Sequence, residues 1–410
     1  MFIKGIKRNY LRVLEDESIA DEDKIDEQDR RFSPHFKPDW NRDLFYSHNY
    51  ITHFSVISKR LIDKLGGFKE GVEGSQDYDL FLRVVACLDD CQIIHTPHIL
   101  YHWRAISGST ALSSKEKNYT NQAGLKALKD FFNKNNVGVT VTQHDLNNCY
   151  RVHWPLPNPN PLVSLIIPTR DHVDLLERCI NTILQKTTYR AFEIIVVNNQ
   201  SSCPKTLEYF NKINGEKQIR VINYAQPFNF SSINNFAASH ANGSIIGLIN
   251  NDIEVLSPCW LDEMVRQVCR PDIGCVGAKL YYPDMRIQHA GVILGIGGIA
   301  GHSHKFFGQH HHGYHSRLSL VQNYSAVTAA TLLVRKSVYH EVGGMETDLS
   351  VAFNDVDFCL KVRAAGYRNL WTPFAELIHH ESVSRGYEDN PEKQARFQRE
   401  VDYKIGRAHV

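Results

Sequence analysis

The side chains best suited to chemistry are carboxylates and imidazoles in the second half of this 410-residue chain. Asp171, Asp252, Glu254, Asp355 and Asp357 offer oxygens that can hold a hard divalent cation or take a proton from a hydroxyl. His379 and His380 offer ring nitrogens for the same purposes. Each also has a plainer reading. Asp252 suits a turn after a strand, and Glu254 a solvated strand end. Asp355 and Asp357 suit the first turn of a helix over 356–365, where negative charge complements the helix dipole. A lone histidine more often packs or lies at the surface.

The elements around these residues alternate regularly. Apolar runs at 162–167, 192–197, 219–224 and 244–249 read as buried strands. Between them, 171–187, 204–213 and 231–240 carry apolar residues at helical spacing, and a helix from Pro258 to about Val268 follows the fourth strand. Such alternation predicts an α/β fold with a mostly parallel sheet and helices on both faces. Ligands bind such sheets at the carboxyl ends of the strands. Those ends here are Pro168-Thr-Arg-Asp171, Asn198-Asn-Gln-Ser201 and Asn250-Asn-Asp-Ile-Glu254, all polar.

Upstream, Trp154-Pro-Leu-Pro-Asn-Pro-Asn-Pro161 is too proline-rich for helix or central strand and reads as a linker. The region before it echoes the end of the region after it. Gly66-Gly-Phe68, Ser75-Gln-Asp-Tyr-Asp-Leu80, Thr96-Pro97 and Tyr101-His-Trp103 parallel Gly343-Gly-Met345, Phe353-Asn-Asp-Val-Asp-Phe358, Thr372-Pro373 and His379-His-Glu381. The interval from Asp77 to His102 is 25 residues, as from Asp355 to His380. The expected organisation is a truncated first copy at 1–113, a helical and Pro-rich linker at 114–160, a complete domain at 161–403 and a non-native tail at 404–410. The truncated copy, lacking a nucleotide-binding front half, is expected to be inactive.

The second region resembles the family-2 glycosyltransferases of the GT-A fold. It looks most like tandem-domain bacterial enzymes of O-antigen or capsule synthesis. The resemblance rests on Val163-Ser-Leu-Ile-Ile-Pro-Thr-Arg-Asp171, Ile194-Ile-Val-Val-Asn-Asn-Gln-Ser201, Leu248-Ile-Asn-Asn-Asp-Ile-Glu254, Phe353-Asn-Asp-Val-Asp-Phe358 and His379-His-Glu-Ser-Val-Ser-Arg-Gly386. It implies inverting transfer of a sugar from a nucleotide-diphosphate sugar to a glycan or lipid-linked glycan. Asp355 would be the catalytic base. Pro168, Thr169, Arg170, Asp171, Asn198, Asn234 and Asp252 would line the nucleotide. Asp252 and His380 would hold Mn²⁺ or Mg²⁺, with His379 the competing imidazole. Asn354, Glu254, Ser384 and Arg385 would lie near the diphosphate or acceptor. Asn250 and Asn251 stand where acids are common in the family, and Asn198 where Asp is common. The alternatives are a non-catalytic nucleotide-sugar or polysaccharide-binding protein and a nucleotidyltransferase, the latter disfavoured because Pro168-Thr-Arg-Asp171 is not a glycine-rich phosphate loop.

Composition narrows the partners. A formal net charge of +1 gives no strong field for nucleic acid or an anionic membrane. Nine scattered cysteines, with only Cys87 and Cys91 closely spaced, fit reduced thiols in a cytoplasmic protein better than a zinc site. The lipid-linked acceptor that the resemblance implies, which composition does not show, would bring the protein to the inner face of the cytoplasmic membrane as a peripheral partner. Three further features invite over-reading. Asp21-Glu-Asp23 looks like a metal motif but is expected in a solvated loop. Gly295-Ile-Gly-Gly-Ile-Ala300 resembles a dinucleotide fingerprint but lies far from the first strand–helix turn. His302, His304, His310, His311, His312 and His315 read as a mobile loop over the acceptor cleft.

Overall fold

The computed structural model describes residues 17–106, 117–135, 137–216, 218–380 and 391–407. Two compact units divide within the proline run, at Pro155 and Leu156.

In the first unit, the strand Glu17–Ile25 pairs antiparallel with Arg31–His35 and Ser55–Ile57 and parallel with Ile93–Arg104. Helix Lys117–Lys134 packs on helix Gln76–Val85, and the hairpin Thr140–Gln143/Tyr150–His153 closes the unit. Residues 117–153 therefore fold with the first unit rather than spanning a gap. Asp21-Glu-Asp23 lies inside the first strand and is buried, not in a solvated loop. Its charges are matched by residues far along the chain. His95 lies 2.9 Å from Asp21, His53 lies 2.8 Å from Glu22, and Arg31 and His102 meet Asp23. A charge-rich run looks solvated until such partners are known.

The second unit is built on a ten-stranded mixed sheet. Its first half is β1 (Val163–Thr169), α1 (Val173–Lys186), β2 (Phe192–Asn198), α2 (Pro204–Ile213), β3 (Ile219–Asn223), α3 (Phe230–Ser239) and β4 (Ile245–Ile249). The strands β4, β1, β2 and β3 lie side by side and parallel. Then come β5 (Ile253–Val255), α4 (Trp260–Val268), β6 (Ile273–Tyr281), β7 (Ile287–His289), the hairpin β8 (Val292–Leu294) and β9 (Ala300–His302), and β10 (Gln322–Tyr324). Last are β11 (Thr331–Arg335), α5 (Lys336–Glu341), α6 (Asn354–Ala364), β12 (Arg368–His379) and α7 (Pro391–Arg407). α7 runs through 404–407, which the sequence assigns to a tail.

The sheet order is β5-β12-β6-β11-β4-β1-β2-β3. β11 returns antiparallel to both β4 and β6, and β5 antiparallel to β12. The expected parallel run thus covers the first four strands, while the later half is mixed. Alternating side chains sort the core into two layers. Val163, Leu165 and Ile167 face α1, α2 and α4 through Ile180, Phe210 and Trp260. Ile166, Ile195 and Val197 face α3, α5 and α6 through Ile233, Tyr339 and Phe358. With apolar layers on both faces, the polar loops are left at the strand ends.

The alternation of strand types in the first unit parallels part of this sheet. There, one strand runs antiparallel to the strand before the Lys59–Leu65 helix and parallel to the strand after the Gln76–Val85 helix. Likewise β6 is antiparallel to β11, before α5, and parallel to β12, after α6.

Candidate active site

The carboxyl ends of β1 and β4, the loop before β11 and the start of α6 enclose one cavity of about 630 Å³. Of the residues singled out in the sequence, Pro168, Thr169, Arg170, Asp171, Asp252, Asn354 and Asp355 line it. Asn198, Asn234, Glu254 and His380 do not. Ser384 and Arg385 lie outside the described residues.

Local folding fixes the nucleotide-side loop. Asp171 and His172 both take left-handed backbone, φ 54° and 53°, turning the chain sharply between β1 and α1. Asp171 Oδ1 accepts from the amides of Ser202 and Cys203 at 2.9 and 2.8 Å, tying this turn to the start of α2. Thr169 Oγ1 accepts from Asn251 Nδ2 at 3.0 Å, so the ends of β1 and β4 are locked together. The neighbouring Asn198 is spent on its own turn: Oδ1 accepts from Ser201 N, and Nδ2 donates to Asn223. Asn199, which the sequence reading passed over, lines the cavity instead.

Asp252 and His379 meet at the cavity floor. His379 Nε2 lies 3.2 Å from Asp252 Oδ1. Burial by itself would raise the Asp252 carboxyl, but a protonated His379, with a smaller contribution from His380, would hold it below the usual carboxylate range. His379 Nδ1 lies 2.7 Å from Gln288 Oε1, an acceptor, so that nitrogen carries the proton. In the neutral ring Nε2 is then a lone pair, accepting from Asn250 Nδ2 at 3.2 Å. Asp252 Oδ1 is buried and receives no well-formed hydrogen bond. A buried carboxylate oxygen and an imidazole lone pair turned toward each other fit a divalent cation. Among the described residues no cluster of three protein ligands forms, so a cation here needs oxygens from its substrate.

His380 faces elsewhere, because neighbouring residues at a strand end point to opposite sides. Its Nε2 lies 3.2 Å from Glu254 Oε2. The expectation that His380 joins Asp252 is thus not what the geometry brings together: His379 joins it, and His380 pairs with Glu254.

Asp355 opens α6 across the cavity. Its Oδ1 accepts from Val356 N at 2.8 Å and its Oδ2 from Ala329 N at 3.1 Å. These two amides fix the carboxylate's orientation. Asn354 is buried beside it and donates to Val351 O. Thr328, Ala329 and Ala330 line the cavity wall, and Thr328 N also approaches His289 Nε2 at 3.4 Å. The sequence reading missed this wall. Its signal is the run of small residues Ser325-Ala-Val-Thr-Ala-Ala330, which lets backbone come close to a ligand. Asn234, fully buried in α3, donates to Phe230 O; its Oδ1 has no partner.

Residues 164–342 match the family described as Glycosyl transferase family 2. The second unit carries a glycosyl transferase family 2 domain. The domain belongs with enzymes that transfer glycosyl groups. The chain is 52% identical over 387 residues to the uncharacterised protein y4gI of Sinorhizobium fredii, covering 94% of this chain and 42% of that protein. It is 36% identical over 377 residues to the O-antigen biosynthesis protein RfbC of Myxococcus xanthus, covering 91% of this chain and 29% of that protein. The chain thus spans less than half the length of either relative. A mannosyltransferase from Pyrobaculum calidifontis, in complex with GDP-Man and Mn²⁺, aligns at TM-score 0.44 and 17% identity, over 60% of this chain and 64% of that one. Among the described residues no helix is long and apolar enough to cross a membrane.

Proposed function

We propose that the second unit transfers a sugar, with inversion, from a nucleotide-diphosphate sugar to a hydroxyl of a glycan or lipid-linked glycan in surface-polysaccharide synthesis. The observation that carries this is that Asp355 and the Asp252–His379 pair face one cavity. The nucleotide would lie along Pro168–Asp171, with Arg170 supplying a cationic fork for phosphate. Asp355, oriented by the Ala329 and Val356 amides, takes the proton of the acceptor hydroxyl. The acceptor oxygen forms the new bond to the anomeric carbon as the bond to the diphosphate breaks, and the nucleotide diphosphate leaves. Mn²⁺ or Mg²⁺ held by Asp252 and His379 would supply positive charge for the departing diphosphate.

The relationship to an O-antigen biosynthesis protein supports the polysaccharide assignment. We read the first unit as related to the later part of the second on the ordered series of shared motifs and the parallel strand pattern. The neutral amides of Asn250 and Asn251 favour a second reading, a non-catalytic nucleotide-sugar binder. Incubating the protein with a panel of nucleotide sugars and Mn²⁺ or Mg²⁺ separates the two. Release of nucleotide diphosphate with one donor is expected; thermal stabilisation by a donor with no release supports the binder.

A further inference from the structure

The β8–β9 hairpin ends in an exposed tip of unusual composition. Residues 293–298, Ile-Leu-Gly-Ile-Gly-Gly, are consecutive exposed positions without one polar side chain. Ile293, Leu294 and Ile296 are 41%, 40% and 47% exposed. Phe306 and Phe307, just past the base of the hairpin, are also exposed. A contiguous apolar surface of this kind normally marks an interaction site. Cations lie against the aromatic residues that follow the hairpin in sequence. Lys305 lies 5.2 Å and Arg286 5.1 Å from the Phe306 ring centroid, and Arg317 lies 5.8 Å from that of Tyr314. Asp284 pairs with Arg286 at 2.7 Å, but no Asp or Glu occurs between Asp284 and Glu341.

We propose that this lobe docks on an anionic lipid surface, with Ile293, Leu294 and Ile296 entering the acyl region and Lys305 and Arg317 at the headgroups. Apolar insertion combined with basic residues at the rim is how peripheral proteins bind membranes. A glycan is a poorer match, because the tip offers no side-chain hydrogen-bonding group. The hairpin backs onto the cavity wall: His302, at the end of β9, lies 2.7 Å from His289, whose Nε2 lies 3.4 Å from Thr328 N of that wall. Docking would therefore hold the cavity near substrates carried in the same membrane. The inference is independent of transfer, since membrane binding is measured without a donor.

The test is flotation of the full chain with phosphatidylcholine vesicles, with and without phosphatidylglycerol. The protein should float with the anionic vesicles, less so in high salt. A variant combining Ile293→Ser, Leu294→Ser and Ile296→Ser should lose at least about tenfold in vesicle partition, with its melting profile retained. Lys305→Glu should weaken binding to anionic vesicles only. Failure of the wild type to float, or equal flotation of the triple variant, overturns the proposal. So does a loss of self-association in the triple variant, seen by light scattering with vesicle binding unchanged, which would make the tip an interface between copies.

Discussion

His379 Nε2 lies 3.2 Å from Asp252 Oδ1, while Nε2 of the next residue, His380, lies 3.2 Å from Glu254 on the other side of the strand end. Two adjacent imidazoles thus serve different carboxylates. His379→Ala should raise the Mn²⁺ concentration needed for half-maximal donor turnover by on the order of tenfold or more. His380→Ala should leave it within about twofold, since His380 pairs with Glu254 rather than with Asp252. A manganese titration of donor turnover checks this, and the reverse ranking would reassign the ligand.

His289 gives the second unit an acid-sensitive core. It is fully buried, and burial, with the nearby His302 and His379, pushes its pKa well below the usual value. Its Nε2 accepts from Gly291 N at 3.3 Å, which suits the neutral ring. The unfolded chain binds a proton near pH 6.5 that the folded chain refuses. Stability from this group is full above about pH 6.5 and falls as pH drops toward the folded value, at up to about 1.4 kcal/mol per pH unit. His289→Gln should flatten that slope in urea unfolding between pH 6.5 and 5, while lowering stability at neutral pH. An unchanged slope would mean that His289 is protonated in the fold.

Gly277 on β6 tests how the wall of the cavity is seated. A Cβ there would lie 2.5 Å from Cβ of Val327, the residue before Thr328-Ala-Ala330. Val327 is buried and β-branched and has no freedom to turn aside. Gly277→Ala should cost about 1–3 kcal/mol in denaturant unfolding. Wild-type stability would show that the wall shifts freely.

Local chemistry made some of this legible in the sequence and long-range pairing hid the rest. The helix at Pro204–Ile213 and the four parallel strands follow from apolar spacing and turn residues. Asp252 and Asp355 stood out because each sits in a motif that carries the family resemblance. The choice between His379 and His380 was not legible, because strand phase decides it and either phase fits the motif. Asp21-Glu-Asp23 read as solvated because its partners, His95 and His102, lie on a distant strand. The antiparallel return of β11 was equally hidden: an apolar run shows that a strand is buried, not which way it runs.

Asp355 carries the central claim, and Asp355→Asn tests it most directly. The amide keeps the shape of the carboxylate and can still accept from Ala329 N, but it cannot take up the acceptor's proton. The measurement is transfer rate alongside nucleotide-sugar binding, by calorimetry, on the same preparation. Transfer should fall by roughly 100-fold or more with donor affinity nearly unchanged. Transfer at the wild-type rate would contradict the assignment of this residue as the base.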